Sequence, residues 1–230
     1  MKKSVHELRV VIFGASGMVG AAVLSECLKD AQVKKVLSVG RKACGMTHPK
    51  LKHLVVPDLF QLENSSKTLK GYNACFFTVG ASAAGLNEAE YTRINHDLPV
   101  QTAKLLLKLN KDLSICYVSG GGTDSSEKGP VMWARVKGRT ENDLLKMRLR
   151  SAVMFRLAGL QPLKGFKSST RLYRVSYDLV GPILPFLAKH FPQWVTTPEI
   201  LGRAMLSAAK GLSPKNILES KDIHALGSST

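Results

Sequence analysis

Acidic residues are scarce in this chain. Asp and Glu number 17 against 33 Lys and Arg, which leaves a formal charge of +16 over 230 residues. A basic surplus of this size suits a pocket for phosphates, a surface for nucleic acid or anionic lipid, or simply a solvated face. Aromatic residues are also sparse, at 7%. They do not interleave with the basic ones as a nucleic-acid stacking platform requires, so no nucleic-acid partner is indicated. No apolar run reaches membrane-spanning length, which argues against a transmembrane segment. Met1-Lys2-Lys3 ahead of an apolar stretch resembles the start of a signal peptide, but His6, Glu7 and Arg9 interrupt it. Only four cysteines are present, Cys27, Cys44, Cys75 and Cys116, and their spacing is not that of a metal site. Cys75 and Cys116 fall in expected buried strands and read as reduced core residues of a cytoplasmic protein. Internal repeats are absent.

What remains is an ordinary globular composition, 44% hydrophobic, in a chain long enough to bury one full core. The basic charge is uneven. Residues 131–175 hold eleven Lys and Arg against two acids, a net +9.

The most informative stretch is LRVVIFGASGMVG, residues 8–20. β-forming Val10, Val11, Ile12 and Phe13 lead straight into Gly14, Gly17 and Gly20, and helical periodicity follows. An apolar strand, a glycine turn and a helix in that order form the opening of a dinucleotide-binding βαβ unit. Gly14 lets the chain turn, Gly17 lets the backbone approach a pyrophosphate, and Gly20 lets the helix pack closely on the sheet. The helix N-terminus offers free N–H groups and partial positive charge to phosphates. The spacing is G-x-x-G-x-x-G, and a turn without a ligand is the plainer alternative.

The rest of the chain alternates strand and helix. A helix over 17–29 packs through Val19, Ala22, Val23 and Cys27, and a strand over 36–39 ends in Gly40-Arg41-Lys42. That end lies about 20 residues past the glycine turn, where an acid would hold the ribose 2′-hydroxyl of NAD. Two cations stand there instead and suit a 2′-phosphate, which favours NADP(H) over NAD(H). A strand over 53–56 precedes Asp58-Leu59, and Asp58 either meets an adenine amino group or caps the next turn. A strand over 74–79 opens into Gly80-Ala81-Ser82. A loop over 83–90 leads into a helix from Asp97, with Asp97 as N-cap, Pro99 in the first turn, and Leu98, Thr102, Leu105, Leu106 and Leu109 as its buried stripe.

A strand over 114–119 ends in three glycines, a polar loop runs over 123–130, and a helix over 131–148 places Trp133 and Lys137 on one face. A strand over 152–157 closes the regular alternation. Residues 171–190 are apolar but broken by Gly181, Pro182 and Pro185, and read as a substrate lid or a contact surface. Thr197-Pro198-Glu199 starts a helix with Leu201, Ala204, Met205 and Ala208 buried. A short strand over 216–219 and a frayed Gly-Ser-Ser-Thr tail end the chain. The expected fold is α/β, a doubly wound parallel sheet with the ligand at its carboxyl edge. Residues 1–157 form the nucleotide-binding Rossmann core, and residues 158–230 a C-terminal lid or substrate region packed on it as one compact domain.

GASGMVG, the strand end YVSGGG, the helix pattern of Lys137, Gly138 and Glu141, and the strand FRLAGL together resemble the short-chain dehydrogenase/reductases. The likeness is to their extended and atypical branches, and within these to the small group around the human Tat-interacting oxidoreductase and its bacterial relatives. It spans nearly the whole chain. It implies a Ser that polarises a substrate carbonyl, a Tyr that donates a proton, and a Lys four residues later that holds the nicotinamide ribose and lowers the Tyr pKa. Ser119 matches the Ser and Lys137 the Lys, but Trp133 occupies the Tyr position. An indole N–H donates a hydrogen bond but cannot give up its proton.

The expected site therefore comprises Gly14, Ser16, Gly17, Met18 and Val19 at the pyrophosphate. Arg41 and Lys42 take the 2′-phosphate, Asp58 and Leu59 flank the adenine, Gly80 lies under the ribose, and Ser119, Trp133 and Lys137 face the nicotinamide. Tyr91, Tyr173 and Tyr177 are alternative proton donors. Two functions fit: an NADP(H)-dependent oxidoreductase with an unknown small-molecule acceptor, or a non-catalytic NADP(H) sensor that signals to a protein partner.

Overall fold

The computed structural model describes residues 7–158 and 196–229. In chain order the elements are β1 (Leu8–Phe13), α1 (Met18–Lys29), β2 (Val33–Gly40), β3 (Leu51–Val55), a 3-10 helix (Leu59–Ser65) running into α2 (Ser66–Leu69), and β4 (Ala74–Phe77). There follow α3 (Glu88–Thr92), a π-helical turn (Arg93–Asp97), α4 (Leu98–Leu109), β5 (Ser114–Gly120), α5 (Met132–Lys146) and β6 (Ser151–Leu157). The described C-terminal residues add α6 (Pro198–Ala209), β7 (Ile217–Glu219) and α7 (Ser220–Ser228).

The strands form one sheet in the order β3-β2-β1-β4-β5-β6-β7. Every neighbouring pair is parallel. All strands therefore end at the same edge, and the winding direction reverses between β1 and β4, the switch point of a doubly wound sheet. Both faces are covered, as an all-parallel sheet demands. Leu8, Val10 and Ile12 of β1 join a core with α1, α6 and α7, while Val11 and Phe13 join the opposite core with the 3-10 helix, α4 and α5. This is the Rossmann-type architecture the alternation of elements predicts.

Several boundaries differ from the sequence reading. β2 and β3 begin at Val33 and Leu51, earlier than expected, and β4 is shorter, ending at Phe77. The largest correction concerns Asp97. It caps nothing: its backbone is helical (φ −64°, ψ −44°) and the helical run continues through it. The run starts ten residues earlier at Asn87, whose side chain accepts from the Glu90 amide while the Glu90 side chain accepts from the Asn87 amide. This reciprocal capping box satisfies two donors that a bare helix end leaves open.

The C-terminus differs too. The tail expected to fray is helical through Ser228, and Gly227 is buried where α7 crosses α6, so close to the Ile200 carbonyl that no Cβ fits. β7 pairs with β6 in parallel, and α6 packs on α1, so the described part of the C-terminal region is built into the core. The lid expectation, with Tyr173 and Tyr177, lies outside the described residues.

Candidate functional site at the carboxyl edge

The glycine turn occupies the carboxyl end of β1, beside the switch point. Gly14 has φ +88°, in the left-handed region that only glycine enters without strain, and a Cβ there would lie 2.8 Å from Thr78 Oγ1. Thr78 straps the exits of β1 and β4 together, donating its amide (3.0 Å) and its hydroxyl (2.7 Å) to the Phe13 carbonyl. Gly20 lies against the Gly14 carbonyl, and a Cβ there would also come within 2.7 Å of Thr78 Oγ1, which is the close helix packing its position suggested. Gly17 is the N-cap of α1 and has no side chain to cap with. The first-turn amides of α1 thus face outward with no helical acceptor, next to half-buried Met18 and Val19 and exposed Ser16.

One strand over, the Gly14 amide donates to Val39 O (3.4 Å), which places the end of β2 beside the turn. Arg41 and Lys42 follow it, exposed, and their side chains make no ion pair among the described residues. Past β3, Asp58 accepts from the Phe60 amide at 3.0 Å. Its carboxylate caps the 3-10 helix, so the capping alternative is the one this geometry contains. Leu59 is half-buried beside it.

Past β4, Gly80 and Ala81 are held by Asn95 of the π-helical turn. Asn95 Oδ1 accepts from the Ala81 amide (3.2 Å) and Asn95 Nδ2 donates to Ala81 O (3.4 Å). A Cβ on Gly80 would sit 3.2 Å from the same Oδ1. Asn95 is 1% exposed. Sequence reasoning passed over it, because an Asn among Arg93, His96 and Asp97 looks like a surface residue.

At the end of β5, Ser119 is buried and its hydroxyl lies 3.0 Å from Thr123 Oγ1, which in turn donates to Gly120 O (2.7 Å). Trp133 and Lys137 do share a face of α5. The half-buried indole lies across Gly120 and Gly122, where a Cβ would be 3.4 Å and 3.7 Å from its ring. Lys137 points inward. Its Nζ donates to Tyr117 OH (3.3 Å) and Val118 O (3.4 Å). Burial pushes the Lys137 pKa below the ordinary lysine value, while the neighbouring Tyr91 and Glu141 pull it back up. Tyr91 is itself buried in α3. Glu141 is fully buried and paired with Arg156, whose Nε donates to both carboxylate oxygens at 3.1 Å, fastening α5 to β6. Gly138 lies against the Asp124 carbonyl with no room for a Cβ, so the loop after β5 crosses α5 at that residue.

Thus the parallel sheet brings the glycine turn, Arg41 and Lys42, Asp58 and Leu59, Gly80, and Ser119 with Trp133 and Lys137 to one edge. Among the described residues no cluster of three or more His, Cys, Asp or Glu is placed to hold a metal. No helix among them is long and apolar enough to cross a membrane.

A glycine turn at the switch point of a parallel sheet defines a Rossmann-type α/β protein. Comparison with known proteins agrees on that fold. The chain is similar to WbmF of Bordetella bronchiseptica, solved with NAD+ and UDP (TM-score 0.68, 14% identity, 98% of this chain and 77% of that one). It is also similar to a short chain dehydrogenase family protein of Francisella tularensis subsp. tularensis SCHU S4 (TM-score 0.63, 15% identity, 93% and 96%). By sequence it is 28% identical over 140 residues to leucinostatins biosynthesis cluster protein T of Purpureocillium lilacinum, covering 60% of this chain. This chain spans about half, 51%, of that protein. It is 24% identical over 208 residues to the protein fmp52, mitochondrial, of Aspergillus fumigatus, covering 86% of each. No family model matches the chain.

Proposed function

We propose that this protein is a pyridine-nucleotide-binding member of the short-chain dehydrogenase/reductase superfamily, an NADP(H)-dependent oxidoreductase whose acceptor is unknown. The finer likeness, to the Tat-interacting oxidoreductase group, belongs to the same proposal. The observation that carries it is the glycine turn, with Gly14 at φ +88° and Gly20 pressed on its carbonyl, closing on an uncapped helix N-terminus at the switch point. Such a turn suits a pyrophosphate, because the glycines at 14 and 20 let the strand exit and the helix start close on each other and the uncapped amides of the helix offer donors to the phosphates.

In this reading Gly14, Ser16, Gly17, Met18 and Val19 hold the pyrophosphate. Arg41 and Lys42, exposed and free of ion pairs with described residues, hold the 2′-phosphate. Leu59 borders the adenine together with the capping Asp58, Gly80 lies under the nicotinamide-side ribose, and Lys137 holds that ribose. Ser119 orients the substrate. The nicotinamide, when bound, supplies or accepts hydride. Calorimetry with NADPH, NADH and 2′,5′-ADP tests the reading. NADPH and 2′,5′-ADP are expected to bind and NADH more weakly. Equal or tighter NADH binding removes the role given to Arg41 and Lys42, and no uptake of any of the three at millimolar concentration removes the reading itself.

Trp133 favours a second reading, a non-catalytic protein that senses NADP(H) and passes its occupancy to a partner. On the superfamily reading the indole takes the place of the Tyr proton donor, and its N–H donates a hydrogen bond but cannot give up the proton. NADPH oxidation with a panel of quinones, flavins and carbonyls separates the two. Turnover supports the oxidoreductase, and carbonyl reduction that appears only in Trp133→Tyr supports the sensor.

We place the protein in the cytosol, a reducing compartment that suits its four free thiols. The fmp52 relatives of Aspergillus are named mitochondrial, and fractionation of the tagged protein decides between the two.

A further inference from the structure

The Asn95 carbonyl is used in an uncommon way. In a regular helix it would accept from the amide four residues on, but that residue is Pro99, which has none. The carbonyl is taken instead by two side chains from other elements. Tyr117 OH of β5 donates to it at 3.1 Å, and Thr140 Oγ1 of α5 lies 2.8 Å from it, its one proton shared with the Val136 carbonyl at 2.9 Å. Having given its single proton to Asn95, the Tyr117 hydroxyl can only accept from its other side, and there Lys137 Nζ donates to it at 3.3 Å. A second N–H of Lys137 goes to Val118 O (3.4 Å), which leaves the third of its three donors uncommitted among the described residues. The Asn95 side chain meanwhile grips Ala81 through both its amide groups. One continuous chain of contacts therefore runs from the loop after β4, through Asn95 and Tyr117, to the ammonium of Lys137.

We infer that Tyr117 is a positioning residue: its hydroxyl, wedged between the Asn95 carbonyl and Lys137 Nζ, sets the ammonium in register for the nicotinamide-side ribose. The inference rests on the dinucleotide reading above and adds a residue to it. Burial, joined by the nearby charge of Glu141, pushes the Tyr117 pKa far above that of a free phenol. The hydroxyl therefore keeps its proton and remains a donor to Asn95 at any working pH. The Tyr117 ring also lies under the ammonium, with 5.0 Å from Nζ to its centroid. Tyr117→Phe retains that ring and the packing around it, so the variant removes the hydroxyl alone.

The test is calorimetric binding of NADPH and of 2′,5′-ADP, which lacks the nicotinamide and its ribose, to wild type and to Tyr117→Phe. The expected result is a split. The NADPH Kd rises about tenfold, the loss of one hydrogen bond to a charged group, while the 2′,5′-ADP Kd stays within about twofold. A merely structural role would weaken both ligands alike, and that outcome overturns the proposal, as does an unchanged NADPH Kd. A wild-type chain that takes up neither ligand overturns the dinucleotide reading and this proposal with it. If Tyr117→Phe does not fold, Pro99→Ala provides the measurement. It returns an amide that competes for the Asn95 carbonyl, and the same split in smaller measure is expected. Identical NADPH binding by Pro99→Ala and wild type then overturns the inference.

Discussion

Gly20, one turn into α1, rests directly on the carbonyl oxygen of Gly14, so that the helix begins almost in contact with the strand exit it follows. Neither the oxygen nor the strapping Thr78 has room to retreat, because Thr78 is tied twice to Phe13 O. Gly20→Ala is therefore expected to lower stability by about 3 kcal/mol, the upper part of the overpacking range, read from the urea midpoint. Dinucleotide binding falls with it. An alanine variant as stable as wild type would mean that α1 can shift as a body.

Arg41 and Lys42 lie on the surface, and replacing both with Ala leaves the fold within about 0.5 kcal/mol of wild type. The NADPH Kd is expected to rise roughly 10- to 100-fold, as charge-assisted contacts to a phosphate are lost. The NADH Kd should not move. Competition between the two nucleotides, measured by fluorescence, checks the difference.

Asp222 links α7 to the chain before it. It accepts from the Glu219 amide (3.0 Å) and pairs with Lys215 (2.8 Å). Burial by itself would raise its pKa, but the Lys215 hydrogen bond and the Glu219 amide outweigh it and hold the group below the ordinary 3.8. A carboxylate with a depressed folded pKa binds fewer protons in the native state than in the unfolded one. Its contribution is thus fully present above pH 3.8 and is lost as the pH falls through the depressed value. Asp222→Asn should cost about 1 kcal/mol at neutral pH, as lost caps do, and should flatten this part of the acid limb. Urea midpoints between about pH 2 and pH 6 give both quantities.

Three of the four thiols are buried. Desolvation pushes Cys27, Cys75 and Cys116 well above the usual thiol range. Cys44 is only partly buried, its Sγ 3.8 Å from His53 Nδ1. A chromogenic disulfide reagent is expected to titrate one thiol in the native protein and four in denaturant. Native Cys44→Ala should then show none, and a residual native thiol in that variant would mean that one of the core strands opens on the labelling timescale.

Most of the architecture was legible because its signals are local. β1, the glycine turn and the first turn of α1 are written within the thirteen residues 8–20, and the stripes of α4 and α6 repeat at helical spacing. The start of α3 was missed although it too is local: Asn87 and Glu90 form a capping box, but they sit in a polar stretch where no apolar periodicity marks a helix. The buried face of that run is partly polar. Asn95 fills it, and only its side chain's partners, Ala81 and the Tyr91 carbonyl, show why an amide is tolerated there.

The order of strands and helices, the glycine spacing and the two cations after β2 were determined by the amino-acid sequence alone, since each depends on neighbours a few residues apart. The direction of Lys137, the use made of the Asn95 carbonyl and the pairing of the last short strand with β6 were decided by the tertiary structure. Tyr117 is 20 residues from Lys137 and 22 from Asn95, while Thr140 is 45 from Asn95. Such pairings arise only when the parallel sheet has stacked β5 between β4 and β6 and laid α4 and α5 across it. No local pattern records which buried donor will find which buried carbonyl.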